Sequence, residues 1–359
     1  MTIKACIIGC GFIAEKHVKA IAGLKDIVVH SLCDINSTRS KEIEAVYRSA
    51  KKEEVQPTIL HFTTAEEALE NKEIDVVIIT VISSLHASIA KKAITAGKHV
   101  ILEKPMALSL EEADELHQLS IEKQKVLLIC HQLRYRPLFK QIKKLIEEDV
   151  LGTPYLGVAS VRINRSEEYY SSAPWKGTWD LDGGMLINQG IHVLDLLQWF
   201  LGDVRSVYGE IGKANIQKET EDYAVGVIQF STKARGIIEA NTVTLPNNIG
   251  YSLSLFCEKG SISIDGPSLN KITRWYIKGL EKSEPTASIV NDTNDHQHMY
   301  EDFIHAFNQK GNYVLMNGAE GKKAIETIFS LYESSKTKQP IYLPLPTFNL
   351  ASMKEEKNR

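Results

Sequence analysis

Short apolar runs alternate with longer segments of helical spacing through the first 150 residues. The runs Ile3–Gly9, Ile27–Cys33, Thr58–Phe62, Val76–Val81, His99–Leu102 and Val126–Cys130 are nearly continuous in Val, Ile, Leu and Cys. That pattern fits strands buried on both faces. A helix rich in Ala, Lys and His begins after Gly11, and Ala65–Leu69, His86–Ala96, Leu110–Lys123 and Arg136–Asp149 also read as helices. The highly charged Asn36–Gln56 predicts a solvated helix and loop. Strands and helices in strict alternation build a parallel sheet covered on both sides.

The pattern changes after Gly152-Thr153-Pro154. Tyr155–Asn164, Val204–Lys213, Tyr223–Ser231, Gly236–Thr244, Ser252–Glu258, Ser261–Asp265 and Lys271–Ile277 are strand-like, many with alternating polarity. They predict one open, largely antiparallel sheet. Between the first two strands stands Gly183–Gly202, GGMLINQGIHVLDLLQWFLG, a helix-length stretch entered after a Gly pair and closed by a Gly. Asp195 is its one charged residue, and Asn188, His192 and Asp195 fall at i, i+4 and i+7 on one polar stripe. Such a stripe either satisfies its hydrogen bonds inside a core or lines a polar cavity. Pro285–Asn294 reads as a polar loop, Gln297–Lys310 and Ala319–Ser335 as helices, and Met353–Arg359 as a charged, frayed end. The expected fold class is α/β: an N-terminal Rossmann doubly wound parallel sheet in residues 1–130. A C-terminal α+β domain on a large, mostly antiparallel open sheet follows in 131–345, then a tail in 346–359.

Two stretches of the first half carry chemistry. Gly9-Cys10-Gly11-Phe12-Ile13-Ala14 follows the first strand directly and opens a helix. In G-x-G-x-x-A the first Gly allows the tight turn, the second lets a pyrophosphate approach the backbone, and the small third residue packs helix on strand. The amides at Phe12 and Ile13 then face the anion. Asp34, at the end of the second strand, is placed for a ribose 2′-hydroxyl and repels a 2′-phosphate, which favours NAD over NADP. Glu103-Lys104-Pro105 ends the strand at His99, where parallel sheets bind ligands. A cis bond before Pro105 would turn the Lys104 amine into that crevice; a surface lysine at a strand end is the plainer reading.

Composition narrows the classes. With 359 residues, 43% apolar and 24% charged, two globular domains are the natural expectation. Net charge −3 gives no basic field for nucleic acid, and no stretch has the length of a membrane span or the form of a signal peptide. Five cysteines without a Cys-x-x-Cys pair fit a reduced cytoplasmic protein, with no zinc or other metal site expected.

With these motifs in hand, the chain resembles the glucose–fructose oxidoreductase and inositol dehydrogenase (Gfo/Idh/MocA) family over nearly its whole length. His131-Gln132-Leu133-Arg134-Tyr135 and the tail Tyr332-Glu333-Ser334 with Ile341-Tyr342-Leu343-Pro344 share in the likeness. The resemblance implies that Lys104, Asn188 and His192 meet at the nicotinamide, with Asn188 standing where the family usually has Asp. It also implies that Val81 and His86, in a segment lacking the common Thr-Pro, line the cofactor together with Glu103. The stretch TWDLDGGMLINQGIHVLDLLQW is most similar to members acting on nucleotide-linked sugars, such as UDP-N-acetylglucosaminuronate 3-dehydrogenases. The open sheet face resembles a family oligomer interface, implying a homodimer or homotetramer.

The expected activity is NAD-dependent transfer of a hydride from a secondary hydroxyl carbon of a sugar. Neutral His192 is the base, Lys104 stabilises alkoxide charge, and Asn188 orients the hydroxyl. The loop Arg162–Asp180 offers cations and aromatics: Arg162, Arg165, Tyr169, Trp175, Lys176 and Trp179. These form either a substrate wall for an anionic sugar or a loop stapled to the sheet by aromatic burial. An inositol, polyol or simple aldose dehydrogenase, an NAD-dependent glycosidase, and a non-catalytic cofactor-binding regulator are the rival readings.

Overall fold

The computed structural model describes residues 2–51, 58–214, 217–281, 283–309 and 313–358. The chain divides into two compact units, Met1–Tyr135 with Asn294–Lys322, and Arg136–Thr293 with Lys323–Arg359.

In the first unit, β1 (Ile3–Ile8), α1 (Phe12–Ala22), β2 (Ile27–Cys33), α2 (Ser37–Lys51) and β3 (Leu60–Phe62) are followed by α3 (Ala65–Glu70) and β4 (Val76–Ile79). Then come α4 (His86–Thr95), β5 (His99–Leu102), α5 (Leu110–Glu122) and β6 (Leu127–Ile129). The six strands are parallel in the order β3-β2-β1-β4-β5-β6. The order reverses between β1 and β4, so their C-terminal ends open the crevice where such sheets bind ligands. Both strands are almost wholly buried, which their unbroken apolar sequences require. The loop expected at 52–56 lies outside the described residues.

The second unit starts with α6 (Pro137–Glu147), β7 (Pro154–Arg162), α7 (Glu167–Ser171) and α8 (Ile191–Leu201). It continues through β8 (Val204–Gly212), β9 (Tyr223–Phe230), β10 (Arg235–Asn241), β11 (Gly250–Cys257), β12 (Gly260–Gly266) and β13 (Lys271–Ile277). After α9 (Ala287–Asn291) comes α10 (Asp295–Gln309), which belongs to the first unit, and α11 (Gly318–Thr337) and β14 (Ile341–Tyr342) complete the main elements. Eight strands form one sheet, β13-β12-β11-β7-β10-β9-β8-β14, antiparallel except where β7 meets β10. The helix α8 lies on one face. A Cβ at Gly157 would overlap Leu197 and one at Gly236 would crowd it, so two glycines in the sheet admit the helix. The opposite face leaves Tyr223, Val225, Val227 and Ile237 exposed.

The packing departs from the expected single break near residue 130. Chain 294–322 returns to the first unit, because α10 lies on α1 and its Tyr300 hydroxyl sits 2.7 Å from His17 Nδ1. Tyr135 donates to Asp302, and the Ile129 amide to Met316 O. The expected loop Pro285–Asn294 contains α9, and the expected frayed end is a 3₁₀ helix, Leu350–Asn358. Its Lys354 Nζ lies 2.7 Å from Asp180, a tether that a reading of local charge does not supply. The described cysteines are all free. Among the described residues no helix is long and apolar enough to cross a membrane.

Candidate active site

The end of β1 is shaped by Gly9. Its φ of +94° suits glycine, and a Cβ would lie 2.8 Å from the Thr80 backbone at the end of β4 and 2.8 Å from Val81. Gly11 differs. Its φ is ordinary, and no atom stands within 4 Å of where its Cβ would be. Open space lies against the second glycine of the motif, and α1 begins there with no side-chain cap, so its first amides are available to an anion. Phe12 is exposed beside them, with Ile13 half-buried. Asp34 is buried, and its carboxylate accepts the Cys10 amide at 2.7 Å and the Asn36 amide at 2.8 Å. The acid is thereby bolted to the glycine turn. These features fit a dinucleotide: room at Gly11, uncapped amides for a pyrophosphate, and a fixed acceptor for a ribose hydroxyl.

Val81 follows β4 and is half-buried. His86 is not an open ligand. It is buried, with Nδ1 2.6 Å from Pro105 O and Nε2 3.1 Å from Val81 O, so it clamps two loops together from behind. Burial lowers its pKa, outweighing the two carbonyls. Lys104 is half-buried, and the bond to Pro105 is cis. Glu103, before it, is buried and turned inward. One oxygen lies 3.0 Å from His17 Nε2, and the other accepts the Lys104 amide at 3.2 Å. Burial pushes this carboxyl up, but the His17 hydrogen bond and the neighbouring basic side chains His17, His296 and Lys104 win and hold it down at about 2. His17, Glu103 and His296 bring three ligand-type atoms within 4.8 Å of one another, a grouping the sequence spacing does not reveal. Both His17 nitrogens already face partners, Glu103 and Tyr300.

In the second unit, Gly183 and Gly184 both have positive φ, and a side chain at Gly184 would collide with Glu221. Buried Glu221 accepts the Leu186 amide at 2.9 Å and the Tyr332 hydroxyl at 2.7 Å. The Leu186 amide, two residues after the Gly pair, is therefore anchored by a distant acid. Burial pushes the Glu221 carboxyl above its usual range against those two hydrogen bonds. The helix expected over Gly183–Gly202 is not uniform: Leu186–Gly190 is a π turn, and regular α-helix starts at Ile191. The extra residue per turn changes the expected stripe. Asn188, Gln189 and His192 are half-exposed, whereas Asp195 is buried. π turns recur where a helix must present a functional side chain.

The loop before this helix is engaged largely with the rest of its own unit. Arg162 spends its fork on Glu239, with Nε and Nη2 each 2.8 Å from the carboxylate. Trp179 is buried edge-on against Tyr332 and lines a cavity of about 390 Å³ with Ile211, Glu219, Glu221 and Met353. Arg165 and Lys176 both sit over the Tyr169 ring, at 5.1 and 4.2 Å from its centroid, and Lys176 reaches Trp175 at 5.7 Å. Among the described residues neither of these two cations is ion-paired to a carboxylate. Burial, then the Asp182 charge, raises the Tyr169 phenol above its ordinary value.

Residues 3–131 match the oxidoreductase family described as an NAD-binding Rossmann fold, and 139–263 match the GFO/IDH/MocA C-terminal domain. The chain belongs to the Gfo/Idh/MocA family. It is accordingly an oxidoreductase with an NAD-binding domain. Among family members, the scyllo-inositol 2-dehydrogenase (NADP(+)) of Bacillus subtilis is 26% identical, over 95% of this chain and 96% of that protein. An uncharacterized oxidoreductase of Schizosaccharomyces pombe is 29% identical, over 61% of this chain and 60% of that one. The WlbA dehydrogenase of Bordetella pertussis, solved with NADH and UDP-GlcNAcA, has 28% identity and a TM-score of 0.84, with 96% and 100% of the two chains covered.

Two residues of this Gfo/Idh/MocA chain escape a reading by motif. Glu221 lies 35 residues beyond the amide it anchors, so no local spacing announces it. Asp182 is in plain view in Trp179-Asp180-Leu181-Asp182-Gly183-Gly184, but its partners, Gly177 and Asn188, emerge only in the folded turn.

Proposed function

We propose that this chain is an NAD-dependent dehydrogenase oxidising a secondary hydroxyl of an anionic sugar, most specifically a nucleotide-linked one. The observation that carries this reading is the pair Arg165 and Lys176, half-buried cations against one aromatic ring and without a carboxylate partner among the described residues. Such groups form charge-assisted bonds to a carboxylate or diphosphate, and Tyr169 and Trp175 offer flat faces to a sugar ring or base. Likeness to the WlbA dehydrogenase solved with UDP-GlcNAcA supports the same class. Arg162, neutralised by Glu239, and buried Trp179 contribute to the loop's shape.

Bound NAD would supply the acceptor for the hydride of the carbinol carbon. The amides at Gly11, Phe12 and Ile13 would hold its pyrophosphate and Asp34 its ribose. His192 takes the hydroxyl proton as the C–H pair departs, so a ketone, NADH and a protonated imidazole result. Lys104 lowers the barrier by stabilising charge that builds on the carbinol oxygen. The free cysteines suit a reducing, cytoplasmic setting, and the exposed apolar strip on β9 and β10 suits a homodimer or homotetramer.

Steady-state kinetics with NAD and a panel of UDP-GlcNAcA, free N-acetylglucosamine, glucose and myo-inositol tests the reading. The nucleotide sugar should give the highest kcat/KM. A neutral sugar or inositol that matched it would transfer the assignment to a polyol dehydrogenase, the class named for the Bacillus subtilis relative.

A further inference from the structure

Asp182 is buried, and each of its oxygens has a defined partner. Oδ2 accepts the Gly177 amide at 2.7 Å, and Oδ1 accepts the Asn188 side-chain Nδ2–H. The Asp182 main-chain oxygen faces the same Nδ2 at 3.4 Å. Gly177 directly follows Lys176, so the carboxylate joins the cation-bearing loop to the π turn that displays Asn188. An asparagine amide has a donor end and an acceptor end. A carboxylate and a carbonyl are both acceptors, so a flipped amide would set Oδ1 against two like groups in a part-buried place.

We propose that Asp182 is a positioning residue that fixes the Asn188 amide with its acceptor end toward the substrate, and couples that orientation to the loop carrying Arg165 and Lys176. The inference rests on the dehydrogenase reading and narrows its substrate. A hydroxyl has a single proton, and the reacting one goes to His192. The donor that meets Asn188 Oδ1 is therefore not the reacting hydroxyl, the partner expected from the sequence, but a hydroxyl or amide N–H on the carbon beside it. Substrates are sugars with such a neighbouring donor, and loop closure and amide orientation are set together.

An amide–carboxylate exchange tests this. In Asp182→Asn, the new amide cannot accept from both Gly177 and Asn188, so one of the two side chains must turn. In Asn188→Asp, two carboxylates meet. In the double variant, the residue at 182 accepts from Gly177 through its carbonyl and donates to the carboxylate at 188, so both side-chain bonds of the original cluster are remade and only the long contact to the main-chain oxygen of 182 is lost. With NAD and UDP-GlcNAcA, each single variant should lose about tenfold in kcat, with KM for NAD within about twofold. The double variant should recover to within about threefold of wild type, a rescue that loss of fold alone does not give. Asp182→Ser, which keeps an acceptor for Gly177, reports the loss should Asp182→Asn not melt cooperatively. Wild-type kcat in the folded single variants overturns the inference and leaves the dehydrogenase reading standing. So does a folded double variant no faster than its slower parent. A wild-type protein that reduces no NAD with UDP-GlcNAcA, N-acetylglucosamine, glucose or myo-inositol removes the dehydrogenase reading, and this inference with it.

Discussion

The turn at Gly9–Ala14 and the loop at Arg162–Asp182, both proposed to hold charged groups, are built on opposite principles. The first uses main-chain amides at one helix end and an open space against Gly11, all within six consecutive residues. The second uses side chains, and most of them are already engaged: Arg162 by Glu239, Trp179 by Tyr332, Asp182 by Gly177 and Asn188. Backbone amides survive every substitution except proline, so such a site is general to its ligand class. A side-chain site is retuned by one exchange of partner, which is where differences in substrate must arise.

Substitution at the two glycines separates shape from binding on the cofactor side, and the effect at Gly9 is the largest expected. Gly9→Ala forces a side chain into positive φ and against the Thr80 backbone, costing several kcal/mol, and thermal melts should show a much lowered midpoint. Gly11→Ala meets open space at an ordinary φ, so the melt should move by no more than about 0.5 kcal/mol of stability. Its NAD affinity, by titration, should fall about tenfold because the methyl occupies the pyrophosphate's approach.

Next in size are the two groups proposed to act on the substrate oxygen. Lys104→Ala should lose roughly a hundredfold in turnover, about 3 kcal/mol of transition-state stabilisation, with NAD binding changed less. His192→Ala should lose a similar factor and flatten the acid limb of the pH–rate profile. Turnover of His192→Ala at the wild-type rate would make the helix window structural, and the two sides of the comparison would collapse into one.

Cofactor choice comes third. Asp34 keeps a carboxylate fixed by two amides, and like charges at about 4 Å cost about 4 kcal/mol at an effective dielectric of 20. After solvent relaxation, NAD should bind at least about tenfold more tightly than NADP at fixed salt. Equal affinities would withdraw the role given to Asp34, a live contrast because the Bacillus subtilis relative is named for NADP(+). The smallest effect belongs to the tether on the substrate loop. Lys354→Ala removes an exposed pair with Asp180, worth well under 1 kcal/mol, and the melt should barely shift.

The same contrast governs what the sequence made legible. β2, β5 and β13 coincide with the runs Ile27–Cys33, His99–Leu102 and Lys271–Ile277, because burial writes directly into side-chain polarity. The Gly9–Gly11 spacing was readable because both requirements are local. The π turn was not: one inserted residue leaves hydrophobicity unchanged while moving Asn188 relative to Asp195. Nor was the return of α10 to the first unit, since the bond between His17 and Tyr300 spans 283 positions. Arg162 looked available in the sequence because Glu239 lies 77 residues away.

Hydride transfer itself is the most direct check on the account. The nucleotide sugar that gives the best turnover, deuterated at the carbinol carbon, is mixed with NAD and excess enzyme, and one turnover is followed by NADH absorbance and mass spectrometry. The account predicts a slowed rate with the deuterated sugar, deuterium on the nicotinamide, and an intact ketone still joined to its nucleotide. Cleavage of the glycosidic bond with NAD regenerated, or no transfer of the label, would contradict it.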